Sequence, residues 1–140
     1  MGARRTGRER ALQALYQLEM ATSTTVAEAL ESAWSASEEP KRDPDAVKFA
    51  RELVEGVMDH RAEIDRLIEQ HSHNWRLDRM GRIDRNVLRL GVFELKYRPD
   101  IPKKVSLNEA VELGKNFGTE ESSAFVNGLL DRVAAALGKQ

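Results

Sequence analysis

The stretch Arg82–Tyr97, R-I-D-R-N-V-L-R-L-G-V-F-E-L-K-Y, constrains the fold more than any other part of the chain. On a helix at about 100° per residue, Ile83, Val87 and Leu90 fall on one side, Leu88, Val92 and Leu95 on another, and Phe93 and Tyr97 on a third. No continuous solvent face remains. Arg82, Arg85, Arg89 and Lys96 fall within about 60° of each other and form one narrow basic stripe. A helix that is apolar almost all round belongs in the middle of a small protein with other helices packed about it. Arg98-Pro99 is its stop, because the residue before proline is pushed out of the helical region.

A chain of 140 residues reads as one domain, long enough to bury about 68% of its unfolded surface. It contains no cysteine, so disulfides and thiolate metal sites are excluded and a reducing compartment suits it. No apolar run is long enough to span a membrane, and residues 1–10 lack the apolar core of a signal peptide. The expectation is a cytoplasmic protein. The charges nearly cancel, 22 basic against 23 acidic, but they are unevenly placed. Residues 1–10 hold Arg4, Arg5, Arg8 and Arg10 against Glu9 alone, which leaves 18 basic and 22 acidic residues in the remainder. A basic arm precedes a mildly acidic body.

The arm runs into a first helix. Thr6-Gly7-Arg8-Glu9 has capping-box spacing, and Ala11, Leu12, Leu15 and Leu18 supply an apolar face up to about Met20. Arginines at a helix start oppose the helix dipole. An external polyanion would remove that penalty, and a solvated terminus would accept it. Gln13 and Tyr16 lie one to two turns on, where an amide and a stacking ring could meet bases. Thr25-Val26-Ala27-Glu28 repeats the capping-box spacing before Ala29, Leu30, Ala33 and Trp34. Residues 37–44, S-E-E-P-K-R-D-P, have linker composition and form either a loop inside one domain or a hinge. Asp43 is placed as an N-cap with Pro44 at the first helical position, opening a third helix through Val47, Ala50, Leu53, Val54 and Val57. A fourth carries Ile64, Leu67, Ile68 and His71, and Trp75 and Leu77 are expected as apolar anchors in the turn that follows.

Beyond the central helix, Pro99 and Pro102 force an extended connection. Ser106-Leu107-Asn108-Glu109 then reads as a capping box, with Val105 and Ala110 as a hydrophobic staple. Gly118 is expected as a left-handed stop. Thr119 is expected to cap the last helix, with Glu120 and Glu121 in its first turn. Val126, Leu129, Leu130, Val133 and Leu137 form its apolar series, and Gly128 predicts close approach of a neighbouring helix. The sum is an all-α chain of seven helices without a convincing strand.

No nucleotide-binding glycine loop, nucleophile elbow or zincin motif is present. His60, His71 and His73 do not make a metal site: the last two point about 160° apart on a helix, and no carboxylate cluster completes a ligand set. Acidic pairs such as Glu120 with Glu121 are explained by helix dipoles and solvated faces. The expected function is therefore binding, without catalysis, cofactor or metal. Two features could carry it: the arginine arm with Gln13 and Tyr16, and the basic stripe of the central helix. The other reading of such a stripe is that its arginines snorkel and pair with neighbouring carboxylates.

Four ordered blocks, A-L-Q-A-L-Y-Q at Ala11–Gln17, I-D-R-N-V-L-R-L at Ile83–Leu90, K-V-S-L-N-E-A-V-E-L-G-K at Lys104–Lys115 and F-V-N-G-L-L-D at Phe125–Asp131, resemble the NusB transcription antitermination family over essentially the whole chain. The resemblance implies two packed three-helix subdomains plus an additional helix, in a single domain over residues 1–140 with a basic RNA-binding arm at 1–10 and an internal loop at 37–44. It implies binding to boxA RNA of nascent ribosomal transcripts together with the ribosomal protein NusE. NusA, NusG and RNA polymerase then join a larger complex that resists termination. The RNA contacts carry over to Arg4, Arg5 and Arg8, with Arg10 and Gln13 beside them and Tyr16 at the family's tyrosine; Glu121 and Phe125 follow from an RNA track near the start of the last helix. The chain departs at Thr6, where a third consecutive arginine is frequent. Three arginines on phosphates would give a salt slope of about −2 for single-stranded RNA. A related domain occurs fused to ribosomal RNA cytosine methyltransferases, but a chain of this length leaves no room for their catalytic domain. The alternative is a helical protein-protein adaptor that does not bind RNA. The free chain is expected to be a monomer or a homodimer.

Overall fold

The computed structural model describes residues 2–38, 41–73 and 75–139. Of the expected 37–44 loop, Glu39 and Pro40 lie outside the described residues. Seven α-helices follow one another: α1 (Ala3–Met20), α2 (Val26–Ser35), α3 (Pro44–Asp59), α4 (Arg61–Gln70), α5 (Arg82–Tyr97), α6 (Lys103–Phe117) and α7 (Ser122–Leu137), with one 3₁₀ turn at Leu77–Arg79. No strand occurs among the described residues. None of these helices is long and apolar enough to cross a membrane. The chain divides into two compact units, Met1–Asp59 and His60–Gln140, and the described residues of the loop between α2 and α3 fall in the first. Arg42 in that loop donates to both carboxylate oxygens of Glu31 on α2, at 2.6 and 3.0 Å.

In the first unit α1 packs against both α2 and α3. The approach to α3 is close because the α1 surface there is small: a Cβ on Gly7 would lie 3.0 Å from the Phe49 ring and 3.1 Å from the Ala46 carbonyl oxygen. The capping box of α2 forms as the spacing predicts, Thr25 Oγ1 accepting from Glu28 N–H at 3.1 Å and Glu28 Oε1 accepting from Thr25 N–H at 3.0 Å. Asp43 caps the entry to α3 by accepting from the Asp45 N–H at 2.8 Å.

In the second unit α5 is the hub, packed against α4, α6 and α7, and its bounds are those read from its periodicity. Every residue from Asn86 to Leu95 is buried. Close packing of α5 on α7 is set by Gly91, where a Cβ would fall 2.6 Å from a Leu130 methyl. Gly128, expected to mark such an approach, has only the Arg132 side chain near its Cβ position, at 3.6 Å. In α7, Val126, Leu129, Leu130 and Val133 are fully buried, and Leu137 is half-buried.

Three expected helix starts move. α1 begins at Ala3, with Gly2 as an extended N-cap. Thr6 is buried inside the helix, its N–H donating to the Gly2 carbonyl at 3.1 Å. α6 begins directly after Pro102. Ser106 does not cap it, because its hydroxyl donates to the buried Glu94 of α5 at 2.8 Å, and Val105 is exposed where a staple would bury it. α7 begins at Ser122. The Thr119 N–H donates to Ser122 Oγ at 2.9 Å and the Thr119 hydroxyl to Glu121 at 3.2 Å, so Glu120 and Glu121 precede the first turn. Gly118 is extended, φ −102° and ψ −155°. It is needed for space, since a Cβ there would meet Ser122 Oγ at 2.4 Å. The left-handed cap falls instead at Gly138, φ 69°.

Candidate nucleic-acid interface

The basic N-terminal segment forms the first turns of α1, and burial divides its arginines. Arg4 and Arg5 are exposed, whereas Arg8 and Arg10 are only 3% and 7% exposed. The guanidinium groups of Arg4 and Arg8 lie 5.1 and 5.3 Å from the centre of the Phe49 ring on α3, a cation–π arrangement in which the side-chain stems also cover the ring. Arg10 lies 5.7 Å from the Trp34 ring on α2, and its Nη1 donates to Gln13 Oε1 at 2.8 Å. Gln13 is half-buried, and Tyr16 is 37% exposed. Arg5, Gln13 and Tyr16 fall within about 80° on the helix wheel, with Glu9 between them. Arg4, which lies to one side, extends the basic edge. The expected arm is thus a helix face carrying exposed cations, an amide and a phenol. A count of charges foretells the segment but not its burial, because Phe49 and Trp34 lie on other helices.

The basic stripe of α5 resolves as internal pairing. Arg89, 3% exposed, donates from Nε and Nη2 to the two carboxylate oxygens of Asp65 on α4 at 2.8 and 3.1 Å, and from Nη1 to Asn86 at 3.1 Å. Arg85 Nη1 donates to the carbonyls of Leu77 and Met80 at 3.1 and 2.8 Å. Lys96 and the Tyr97 hydroxyl both donate to Glu63. The Lys96 ammonium, with help from Tyr97, holds the Glu63 carboxyl below the usual carboxylate range. Burial, together with the negative Glu63 that accepts its hydroxyl, pushes the Tyr97 phenol up to about 12. The stripe therefore ties α5 to α4 and to the preceding loop.

Glu121 and Phe125 line a cleft in the second unit with Trp75, Arg79, Met80, Gly81 and Asp84, enclosing about 250 Å³. Its loop wall is fixed from behind. Ser72 donates to the Trp75 carbonyl, Glu69 accepts from the Leu77 N–H at 3.2 Å, and Arg85 holds the two carbonyls named above. Trp75, expected as a buried anchor, is 58% exposed, while Leu77 alone is buried. The sequence offered no signal that Trp75, Arg79 and Asp84 would share a cleft with the last helix. His71 has its Nδ1 2.8 Å from the Leu67 carbonyl oxygen.

An all-helical protein with a cationic face at its first helix and no strands among its described residues is the class that the fold and these surfaces define. The NusB family model matches residues 5–135. The chain is 88% identical over 140 residues to the transcription antitermination protein NusB of Myxococcus xanthus (strain DK1622), covering 99% of each. It is 50% identical to that of Geotalea uraniireducens (strain Rf4), over 98% of this chain and 97% of that one. Among solved structures, T. maritima NusB superposes with a TM-score of 0.85 at 38% identity over 94% of this chain and 90% of that chain. A crystal structure of antitermination factors NusB and NusE in complex with dsRNA superposes with a TM-score of 0.85 at 30% identity, over 96% of this chain and 97% of that one. The chain belongs to the NusB family.

Proposed function

We propose that this protein is a transcription antitermination factor that acts in the cytoplasm by binding boxA RNA of nascent ribosomal transcripts together with NusE. The pair then joins NusA, NusG and RNA polymerase to suppress termination. The protein contributes binding rather than catalysis. The observation that carries this reading is the α1 face, where Arg4 and Arg5 are exposed beside Gln13 and Tyr16. Guanidinium groups suit phosphate, and a half-exposed phenol suits an unstacked base. Arg8, pinned on Phe49, shapes the basic edge, and Glu121 and Phe125 offer a further surface for the strand. Support also comes from the relatives of similar length, which carry the antitermination name over nearly their whole chains, and from the neighbouring structure of NusB and NusE with dsRNA. The acidic remainder of the chain suits a basic ribosomal-protein partner.

Fluorescence anisotropy with a boxA-like and a scrambled oligonucleotide, with and without NusE, tests the proposal. The native chain should prefer boxA and bind it more tightly beside NusE, and an Arg4→Ala, Arg5→Ala, Tyr16→Ala variant should lose that binding. A native chain that ignores RNA even with NusE present would overturn it in favour of an adaptor that contacts proteins only.

A further inference from the structure

Arg10 presents an unusual combination on α1. It is 7% exposed, yet its Nε has no hydrogen-bond partner, and neither does the buried Nε1 of the Trp34 ring against which it stacks. An apolar side chain of similar volume would fill this space without burying an unsatisfied N–H, so packing alone does not require a guanidinium here. The polar output of Arg10 is its hydrogen bond to Gln13 Oε1 at 2.8 Å. A guanidinium has only donors. Gln13 must therefore face it with its carbonyl oxygen, and its NH₂ group is turned away.

We infer that Arg10 is a positioning residue that makes Gln13 a hydrogen-bond donor toward RNA, so that this point on α1 selects a base edge bearing a carbonyl, uracil O4 or guanine O6, over one bearing an amine. The inference rests on the RNA-binding reading above. An unrestrained glutamine pairs with adenine through both its oxygen and its nitrogen. Holding the oxygen toward the buried Arg10 turns the acceptor that the adenine amine would need away from the base and leaves one of its two lone pairs occupied, while the two amide hydrogens remain available to a carbonyl. Arg10 thus acts through Gln13, and its burial is what keeps the amide from turning over.

The test replaces each uracil of a boxA-like RNA by cytosine and each guanine by adenine, one at a time. Binding is measured by anisotropy with NusE present for the native chain and for Arg10→Met, Arg10→Lys and Gln13→Met. At one RNA position the native chain should lose about tenfold in affinity on the carbonyl-to-amine exchange. Arg10→Met and Gln13→Met should reduce that preference to less than about twofold, and Arg10→Lys should restore it. In ¹⁵N spectra without RNA, the Gln13 side-chain NH₂ resonances should move in Arg10→Met and return in Arg10→Lys. Full preference retained in Arg10→Met, or no preference at any position that depends on Gln13, would overturn the inference while leaving selective RNA binding intact. Absence of RNA binding by the native chain would instead remove the reading on which it rests.

Discussion

Arg89 is a buried cation that donates two parallel hydrogen bonds to the Asp65 carboxylate and a third bond to Asn86. Removing a partner from such a pair is far more costly than the pair's net contribution, because the remaining charge stays buried. Asp65→Ala should therefore destabilise the protein by about 3 kcal/mol in urea unfolding, and Asp65→Asn, which keeps one acceptor, by less; a loss below about 1 kcal/mol for the alanine variant would show that the pair does not anchor α4 to α5. Tyr97 makes a prediction in pH. Its phenol ionises at about 12 in the folded protein against about 10 when unfolded. Its contribution is complete below pH 10 and fades as pH rises toward 12, since only the unfolded chain sheds the proton in that window. Glu63 has the opposite sense: its lowered pKa stabilises above the ordinary carboxylate range, and this is lost as pH falls through the folded value. An ultraviolet difference titration of the native chain against Tyr97→Phe reads the phenol directly, and an ionisation near 10 would contradict the Glu63 contact.

At the level of elements, apolar periodicity was a dependable guide and hydroxyl-based start signals were not. The α5 bounds, the α3 face and the buried series of α7 follow from spacing alone, because burial repeats with the helix and leaves its mark in neighbouring residues. Thr25 also behaved as its local pattern predicts. Ser106 and Thr119 did not, for a reason no local pattern carries: the Ser106 hydroxyl is taken by Glu94 on another helix, and the turn after Gly118 uses Ser122 as its acceptor. The same limit applies to the candidate surface. The sequence revealed a basic start with Gln13 and Tyr16 in phase, but the rings that draw in Arg8 and Arg10 lie on other helices, as do the walls around Trp75. A pair of substitutions distinguishes the two accounts of α7. Ser122→Ala should cost about 1 kcal/mol by leaving the Thr119 N–H of the preceding turn without its acceptor, while Thr119→Ala should stay within about 0.5 kcal/mol; the reverse order in thermal or urea melts would restore Thr119 as the cap.

For the whole molecule, charge placement matters more than net charge. Burial of Arg8 and Arg10 leaves Arg4 and Arg5 as the exposed cations of the first turns. With about 0.7 counterion released per phosphate contact on a single strand, the salt slope of the isolated chain should be about −1.4, shallower than the about −2 expected from three arginines. A titration of affinity against salt checks this, and a slope of about −3 or steeper would mean that cations elsewhere carry the contact. So shallow a dependence suits a protein that binds firmly only beside a basic partner. The central claim is that the outer face of α1 meets RNA, and ¹⁵N chemical-shift mapping with a boxA-like oligonucleotide and NusE tests it most directly. The largest shifts caused by adding RNA to the preformed pair should fall on Arg4, Arg5, Gln13 and Tyr16, with a second group at Glu121 and Phe125. Shifts confined to other helices, or none, would contradict the account.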